Sequence, residues 1–463
     1  MEQKAILITD LGFGDAGKGG LVDHLTRVTG AHTVVRYNGG AQAGHNVITP
    51  DGRHHTFAQF GSGSLVPGTR TYVSRFMLLD PLAMLAEERA LQGLGVRDAL
   101  ARTAIDRRAL ITTPFHVAAN RIKEVARGDA RHGSCGMGIG ETMADWLGHG
   151  SRVPQAGDLE DCHALQTKLE FLRENKLAHL EDILRDHGDH PAIQEELLIF
   201  HEPDFIAATI DVYRRFASQV TLVDEAYLRR LCAGPGTILF EGAQGVLLDE
   251  WYGFYPFNTW STTTFENADT LLSEGGYDGQ MCRLGMTRAY STRHGAGPFV
   301  SESAALTSCL PDRYNINNAW QRAFRVGHLD LVALRYALQA TGPIDGLVVT
   351  NLDRLAELPA WYTCEGYCHS GSGSDLKTFF TLQDRWITDI RLPPDRRDLS
   401  RQQILTGRLF DMQPRLTPWE KSLGEFVEHI AQALNTPLAI TSYGPTASEK
   451  RIHMVFQAMF SLC

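Results

Sequence analysis

Gly12-Phe13-Gly14-Asp15-Ala16-Gly17-Lys18 is the stretch that decides the fold. It follows a short apolar run, Ala5 to Thr9, and leads into a helical pattern from about Gly17 to Val28, after which Thr33 to Tyr37 reads as a second strand. Strand, glycine turn, helix and strand in succession are the rhythm of a parallel sheet flanked by helices. The turn satisfies both G-x-G-x-x-G and G-x-x-x-x-G-K, patterns in which glycines let backbone amides approach phosphate oxygens at a helix N-terminus. A dinucleotide fold wants an acidic residue roughly 20 positions on, where this chain has Arg36. A standard P-loop wants Ser or Thr after the lysine to hold magnesium, and Gly19 stands there. What remains is a phosphate loop with Lys18 for phosphoryl charge and Asp15 in the same site. An aspartate beside transferring phosphates is repelled unless it binds a metal or takes a proton; the plainer alternative is that Asp15 caps the helix beginning near Gly17.

Three further turns follow strand-like runs. Arg36-Tyr37-Asn38-Gly39-Gly40-Ala41-Gln42-Ala43-Gly44-His45-Asn46 closes the second strand and ends in a histidine suited to acid or charge-stabilising work. Phe240-Glu241-Gly242-Ala243-Gln244-Gly245 follows the buried run Thr237 to Phe240 and leads to Asp249 and Gly253 to Thr259. Thr350-Asn351-Leu352-Asp353 follows Gly346 to Val349, and a carboxylate there can accept both N1–H and N2–H of guanine. Open α/β sheets place ligands beyond the carboxyl ends of their strands, where all these turns lie.

With 463 residues, 43% hydrophobic and 21% charged, the chain supports a large core and excludes a disordered or fibrous class. A net charge of −10 disfavours nucleic acid as a partner. No apolar run of about 18 residues appears and the N-terminus lacks a signal-peptide pattern, so the expectation is a cytoplasmic protein with no membrane contact. Eight scattered cysteines read as free thiols. Cys364, Cys368 and His369 lack a fourth ligand or a partner pair at finger-like spacing, so they read as a loop. One domain over 1–463 is expected, with a Leu-, Glu- and His-rich helical insertion at about 156–230 and a peripheral β-rich lobe at about 360–400. That lobe includes Gly371 to Ser374 and a strand-like Thr378 to Leu382.

Together the motifs resemble the adenylosuccinate synthetase family over nearly the whole chain. Phe13 to Gly20 is similar to that family's W-G-D-E-G-K-G-K, Arg36 to Asn46 to R-Y-Q-G-G-x-N-A-G-H-T, and Phe240 to Asp249 to F-E-G-A-Q-G-x-L-L-D. Tyr255 to Thr259, Ala289 to Phe299, Thr350 to Asp353 and Ser442 to Pro445 resemble Y-P-x-x-T, A-Y-x-T-R-x-G-x-G-P-F, T-K-L-D and S-T-G-P. The resemblance implies a large, mostly parallel α/β sheet and a homodimeric, GTP-dependent ligase. Such an enzyme phosphorylates the 6-oxygen of inosine monophosphate (IMP) and joins L-aspartate to the purine, with Mg2+.

By the same resemblance Asp15 takes the N1 proton of IMP and binds Mg2+ with the carbonyl of Gly44, while His45 stabilises charge on the departing phosphates. Gly14, Gly17, Lys18, Gly19, Asn46, Asn351, Asp353, Ser442 and Gly444 map to GTP, and Gln42, Gly44, Cys135, Gln244 and Thr259 to IMP, with Gln244 also counted as catalytic. The departures lie on the substrate loops. The family's T-T-G-R-R-R-R-T-G-W-L-D becomes Ala319 to Asp330, keeping Arg322 and Arg325, and G-T-T-G-R-G-I-G-P becomes Gly133 to Glu141, with Cys135 at a phosphate-contacting threonine. Arg152 is the nearest candidate for the arginine that a neighbouring subunit contributes in this family. Fixed guanidinium forks bind carboxylates, so these changes bear on the amine donor. Two alternatives stay open at this level: a paralogue using the same chemistry on another amine donor or purine acceptor, and a non-catalytic purine-nucleotide sensor.

Overall fold

A computed structural model describes residues 3–128, 131, 133–312, 314, 320, 323–358, 360–369 and 376–460. Ten strands form the central sheet: β1 (Gln3–Asp10), β2 (Thr33–Arg36), β3 (Arg70–Val73), β4 (Thr103–Asp106), β5 (Thr221–Val223), β6 (Gly236–Glu241), β7 (Gln280–Arg288), β8 (Gly346–Thr350), β9 (Leu438–Ser442) and β10 (Lys450–Ile452). Their order is β10-β9-β8-β7-β1-β6-β2-β3-β4-β5, and every neighbouring pair is parallel except β9 with β10. The interior strands are apolar runs buried on both faces; Ala5, Ile6, Leu7 and Ile8 of β1 are each 0% exposed. The chain leaves β1 for one side of the sheet, returns at β6 beside β1, and then builds the other side. The carboxyl ends of β1, β6 and β2 therefore open at a topological switch point, where ligands of such sheets bind.

The helix after β1, α1 (Lys18–Thr29), starts at Gly17, whose φ of 86° is left-handed and whose position carries no side-chain cap. Asp15 therefore does not cap the helix. Helices Cys162–His187, Pro191–His201 and Phe205–Ala217 pack together with Pro114–Ala126 around Leu165, Leu169, Leu172 and Phe200, before the chain rejoins the sheet at β5. A second sheet carries strands Trp361–His369, Phe380–Gln383, Trp386–Ile390 and Met412–Trp419, and is joined by Leu329–Asp330. Cys364, Cys368 and His369 thus lie in a strand and not in a loop, because the aromatic and β-branched residues around them favour pleated backbone. The strand expected at Thr378 begins at Phe380, after a helical turn Leu376–Phe379. Gly371 to Ser374 lie outside the described residues.

Gly19 shows why the P-loop template fails. The strand His45–Ile48 runs so close beneath α1 that a Cβ at Gly19 would stand 2.8 Å from the His45 carbonyl carbon and the Asn46 oxygen. Introducing the template's hydroxyl as Gly19→Ser is expected to destabilise the protein by about 1–3 kcal/mol, as overpacking does. Urea unfolding checks this; an unchanged midpoint would contradict the close approach.

Candidate functional site

Asp10 ends β1 fully buried and organises the turn that follows. Its Oδ1 accepts from the Gly12 amide at 2.8 Å, and its Oδ2 accepts from the Ala16 amide at 2.8 Å and from Lys18 Nζ at 3.2 Å. Lys18 Nζ also donates to the Gly14 carbonyl at 2.6 Å and the Gln244 carbonyl at 2.7 Å, which uses all three of its N–H groups. The ammonium expected to face phosphates is turned into the loop, where it pins the β1 turn to the β6 turn. Gln244, at φ 54°, is held in the left-handed region by that contact, and its Oε1 is buried without a partner. Asn38 completes the joint: its Nδ2 donates to the Ala243 carbonyl at 3.0 Å and its Oδ1 accepts from the Ala243 amide at 2.6 Å.

His45, 5% exposed, bonds through Nδ1 to Glu241 Oε1 at 2.6 Å. The Glu241 carboxylate also accepts from the Ser62 amide at 2.9 Å and from the Ser62 hydroxyl. Burial opposes ionisation of Glu241, but fully buried Arg36 and His45 outweigh it and hold the carboxyl down to about 2. Burial pulls His45 down to about 4 against the pull of Glu241. A neutral ring donating Nδ1–H to an ionised carboxylate satisfies both groups, and fixes Nε2 as the polar atom left for a ligand. A neighbouring anionic ligand would favour a second proton there.

Asp15 is half-buried. Burial raises its carboxyl above the usual range, with Arg288 and Lys18 opposing and Asp10 adding to the rise. Arg288 donates through Nε to the Asp15 carbonyl and through Nη2 to Asp312 at 3.0 Å. Thr350 Oγ1 donates to the Ala16 carbonyl at 2.8 Å, joining the end of β8 to the phosphate loop. One cleft of ≈ 330 Å³ is walled by Gly14, Asp15, Gly17 and Lys18, then Gly44, His45 and Asn46, then Asn351, Asp353, Ser442 and Gly444. Asp353 is exposed at the cleft, and Ser442 Oγ donates to the Gly444 carbonyl at 3.0 Å.

The remaining expected residues sit around that cleft or apart from it. Both amide atoms of Gln42 are buried without partners, beside Gly40, against which Ile139 packs. Cys135 is half-buried, its thiol pushed up by burial, in a loop tied by Ser134 Oγ to Asn120 at 2.9 Å. The Thr259 amide donates to the Leu248 carbonyl at 2.9 Å. Arg325 is committed elsewhere, to the Gly295 carbonyl at 2.7 Å, the Gly297 carbonyl at 3.0 Å and Glu302 at 2.6 Å. Arg322 lies outside the described residues. Arg152 is exposed, with its guanidinium 3.6 Å above the Phe171 ring. Sequence reasoning missed Asp10, Arg288 and the partnership of Glu241 with His45. The available signal was a carboxylate at the final residue of β1 and of β6.

A doubly wound sheet whose strand ends gather a glycine turn at a helix N-terminus, an oriented histidine and an exposed carboxylate in one cleft is the architecture of a nucleotide-dependent enzyme. The adenylosuccinate synthetase family profile matches residues 7–451. Adenylosuccinate synthetase of Alkalilimnicola ehrlichii is 36% identical over 455 residues, covering 96% of this chain and 97% of its own. That of Clostridium beijerinckii is 33% identical, covering 95% and 97%. In fold the chain is similar to a fully ligated adenylosuccinate synthetase from Plasmodium falciparum, with TM-score 0.75, 20% identity and coverage of 97% and 99%. It is also similar to the succinoaminodeoxyadenylate synthetase of cyanophage S-2L, with TM-score 0.59, 16% identity and coverage of 98% and 96%. The chain belongs to the adenylosuccinate synthetase family, whose members are GTP-dependent carbon–nitrogen ligases.

Replacing Glu241 with Gln removes the charge that fixes the His45 tautomer. At least a tenfold fall in kcat is expected, with GTP affinity changing less, if the imidazole serves the reacting phosphates. Phosphate-release kinetics beside GTP titration read this; an unchanged kcat would remove the pair from the chemistry.

Proposed function

We propose that the chain transfers the γ-phosphoryl of GTP to the 6-oxygen of IMP and then joins an amino donor, L-aspartate as in the family, to C6. The observation that carries this reading is the single cleft that collects Asp15, His45 and Asp353. Asp15 takes the N1 proton of the purine, a task suited to a carboxyl raised by burial. The 6-oxygen, made nucleophilic, attacks the γ-phosphorus and GDP departs. The amine then adds at C6, and phosphate leaves carrying the former 6-oxygen. Phosphorylation converts a poor leaving group into a good one.

His45, held by Glu241, stabilises charge on the departing phosphates, and the amides of the Gly14–Gly19 turn cradle them. With its ammonium turned inward, Lys18 serves by fixing the turn. Asn351, Asp353, Ser442 and Gly444 hold guanine, and Asn46 flanks the phosphates. Gln42 and Gln244, with buried amide atoms lacking partners, take the acceptor nucleotide together with Cys135 and Thr259. The Asp15 carboxylate and the Gly44 carbonyl, both at the cleft, fit a hard cation's preference for oxygen donors. Those two oxygens would hold Mg2+, which would supply charge neutralisation to the triphosphate.

The donor side is less family-like, because Arg325 spends its guanidinium on carbonyls and Glu302. The reading extends to a homodimer in which Arg152, exposed on the helical region, reaches the neighbouring acceptor site. It also extends to the cytoplasm; no helix among the described residues is long and apolar enough to cross a membrane.

Phosphate release from GTP and IMP across a panel of amino acids and amines tests the reading, with release expected on aspartate. No release with any donor would overturn it. Asp15→Asn is expected to abolish turnover while nucleotide binding persists, and unchanged turnover would remove the assigned base. Asp353→Asn is expected to shift preference from GTP toward xanthosine triphosphate, and an unaltered preference would refute the guanine assignment.

A further inference from the structure

Lys450 is a cation at the Asp353 end of the cleft wall whose place no motif explains. It opens β10, pairs across the antiparallel ladder with Ser442 of β9, and is 9% exposed. Its Nζ donates to the Thr446 carbonyl at 2.9 Å and the Pro445 carbonyl at 3.4 Å, the two residues that follow Gly444. On its other side lies the first turn of α1. A Cβ at Gly20 would stand 3.3 Å from Lys450 Nζ and 3.2 Å from the Pro445 oxygen, so the absence of a side chain at Gly20 lets the ammonium and the 445 carbonyl press against the helix. Lys450 lines the same cleft as Asp353, Ser442 and Gly444. Burial pulls its ammonium down to about 8, opposed by Asp23 on α1, by Glu449 and by Asp353, so it stays largely protonated near neutrality.

Two of three ammonium N–H groups thus hold the Ser442–Thr446 turn, while the charge is felt by Asp23, by Glu449 and by Asp353, the carboxylate assigned to guanine. The turn is tied to the phosphate-loop side by two further contacts, a β-bridge between Thr446 and Ile48 and a bond from the His24 ring of α1 to the Ala447 carbonyl at 2.8 Å, and neither of them reaches Ser442 or Gly444. The Ser442 hydroxyl bonds within the turn, and the Tyr443 amide and the Thr446 amide and hydroxyl bond to Glu449 and Ser448 just downstream. Lys450 is the link that acts on the Ser442 end of the turn, packed between it and the helix that begins at the glycine loop.

We propose that Lys450 is a positioning residue for the guanine nucleotide, setting the Ser442–Thr446 turn and Asp353 at the spacing a bound GTP needs. It acts on recognition of GTP and leaves the acceptor nucleotide alone. This rests on the assignment of the cleft to GTP, which the Asp353→Asn swing toward xanthosine triphosphate tests by itself.

The experiment is steady-state kinetics on the full chain for Lys450→Met, which keeps the apolar stem, and Lys450→Arg, which keeps the charge, each beside a thermal melt. For Lys450→Met the KM for GTP is expected to rise about tenfold, equivalent to about 1.4 kcal/mol. Its kcat and its KM for IMP should move by far less, and Lys450→Arg should recover most of the loss. An unchanged KM for GTP would overturn the proposal. So would equal losses in GTP and IMP parameters with a lowered melting temperature, or no recovery with arginine, since these mark a general packing role. If Asp353→Asn shifts base preference while Lys450→Met does nothing, only the role of Lys450 falls; if neither has an effect, the GTP assignment falls with it.

Discussion

One ammonium group holds the site together. Lys18 Nζ joins the Asp10 carboxylate, the Gly14 carbonyl and the Gln244 carbonyl, so the turn after β1 and the turn after β6 cannot move independently. The pair is buried, and a buried ion pair is maintained only when its remaining polar capacity is met. Here it is met: Asp10 takes two backbone amides besides the lysine. Removing either partner would leave an uncompensated charge inside the loop, and losing Lys18 would also strip the Gln244 carbonyl of its donor. The rigidity of the cleft begins at this joint.

A second buried network lies beside the first and sets charge where the first sets shape. Arg36, Glu241, Ser62 and His45 share one pocket behind the strand His45–Ile48. The arginine stabilises the carboxylate, the carboxylate fixes the imidazole, and burial keeps the imidazole neutral. This division suits phosphoryl transfer, in which the protein positions groups and answers charge as it develops. Because α1 lies directly on the histidine strand at Gly19, the two networks are in mechanical contact.

Much of this was legible in the residues, and the failures have physical causes. Apolar runs ending in glycine or polar turns gave away β1, β2, β6 and β8, because buried parallel strands have no polar face to blur the pattern. The glycine turn was placed correctly beyond the carboxyl end of β1. The direction of the Lys18 side chain was not readable, since one acceptor is 226 residues away in sequence. The same holds for His45 and Glu241, 196 residues apart. Both lay in quoted motifs, yet only the adjacency of β6 and β2 brings them together. Arg325 was expected at a substrate; the Gly295 and Gly297 carbonyls offered its guanidinium a nearer set of acceptors. The Cys364–His369 run misled because cysteine and histidine spacing was weighed ahead of the strand propensity of its neighbours.

The central claim is that this cleft moves the γ-phosphoryl onto the purine as a step of its own, before any amine reacts. Positional isotope exchange addresses it directly, using GTP labelled with 18O at the β,γ-bridge, incubated with the enzyme, Mg2+ and IMP but no amine donor. The account expects the label to scramble into the β-nonbridging positions only when IMP is present. Absence of scrambling under those conditions, while the complete mixture with donor turns over, would contradict it.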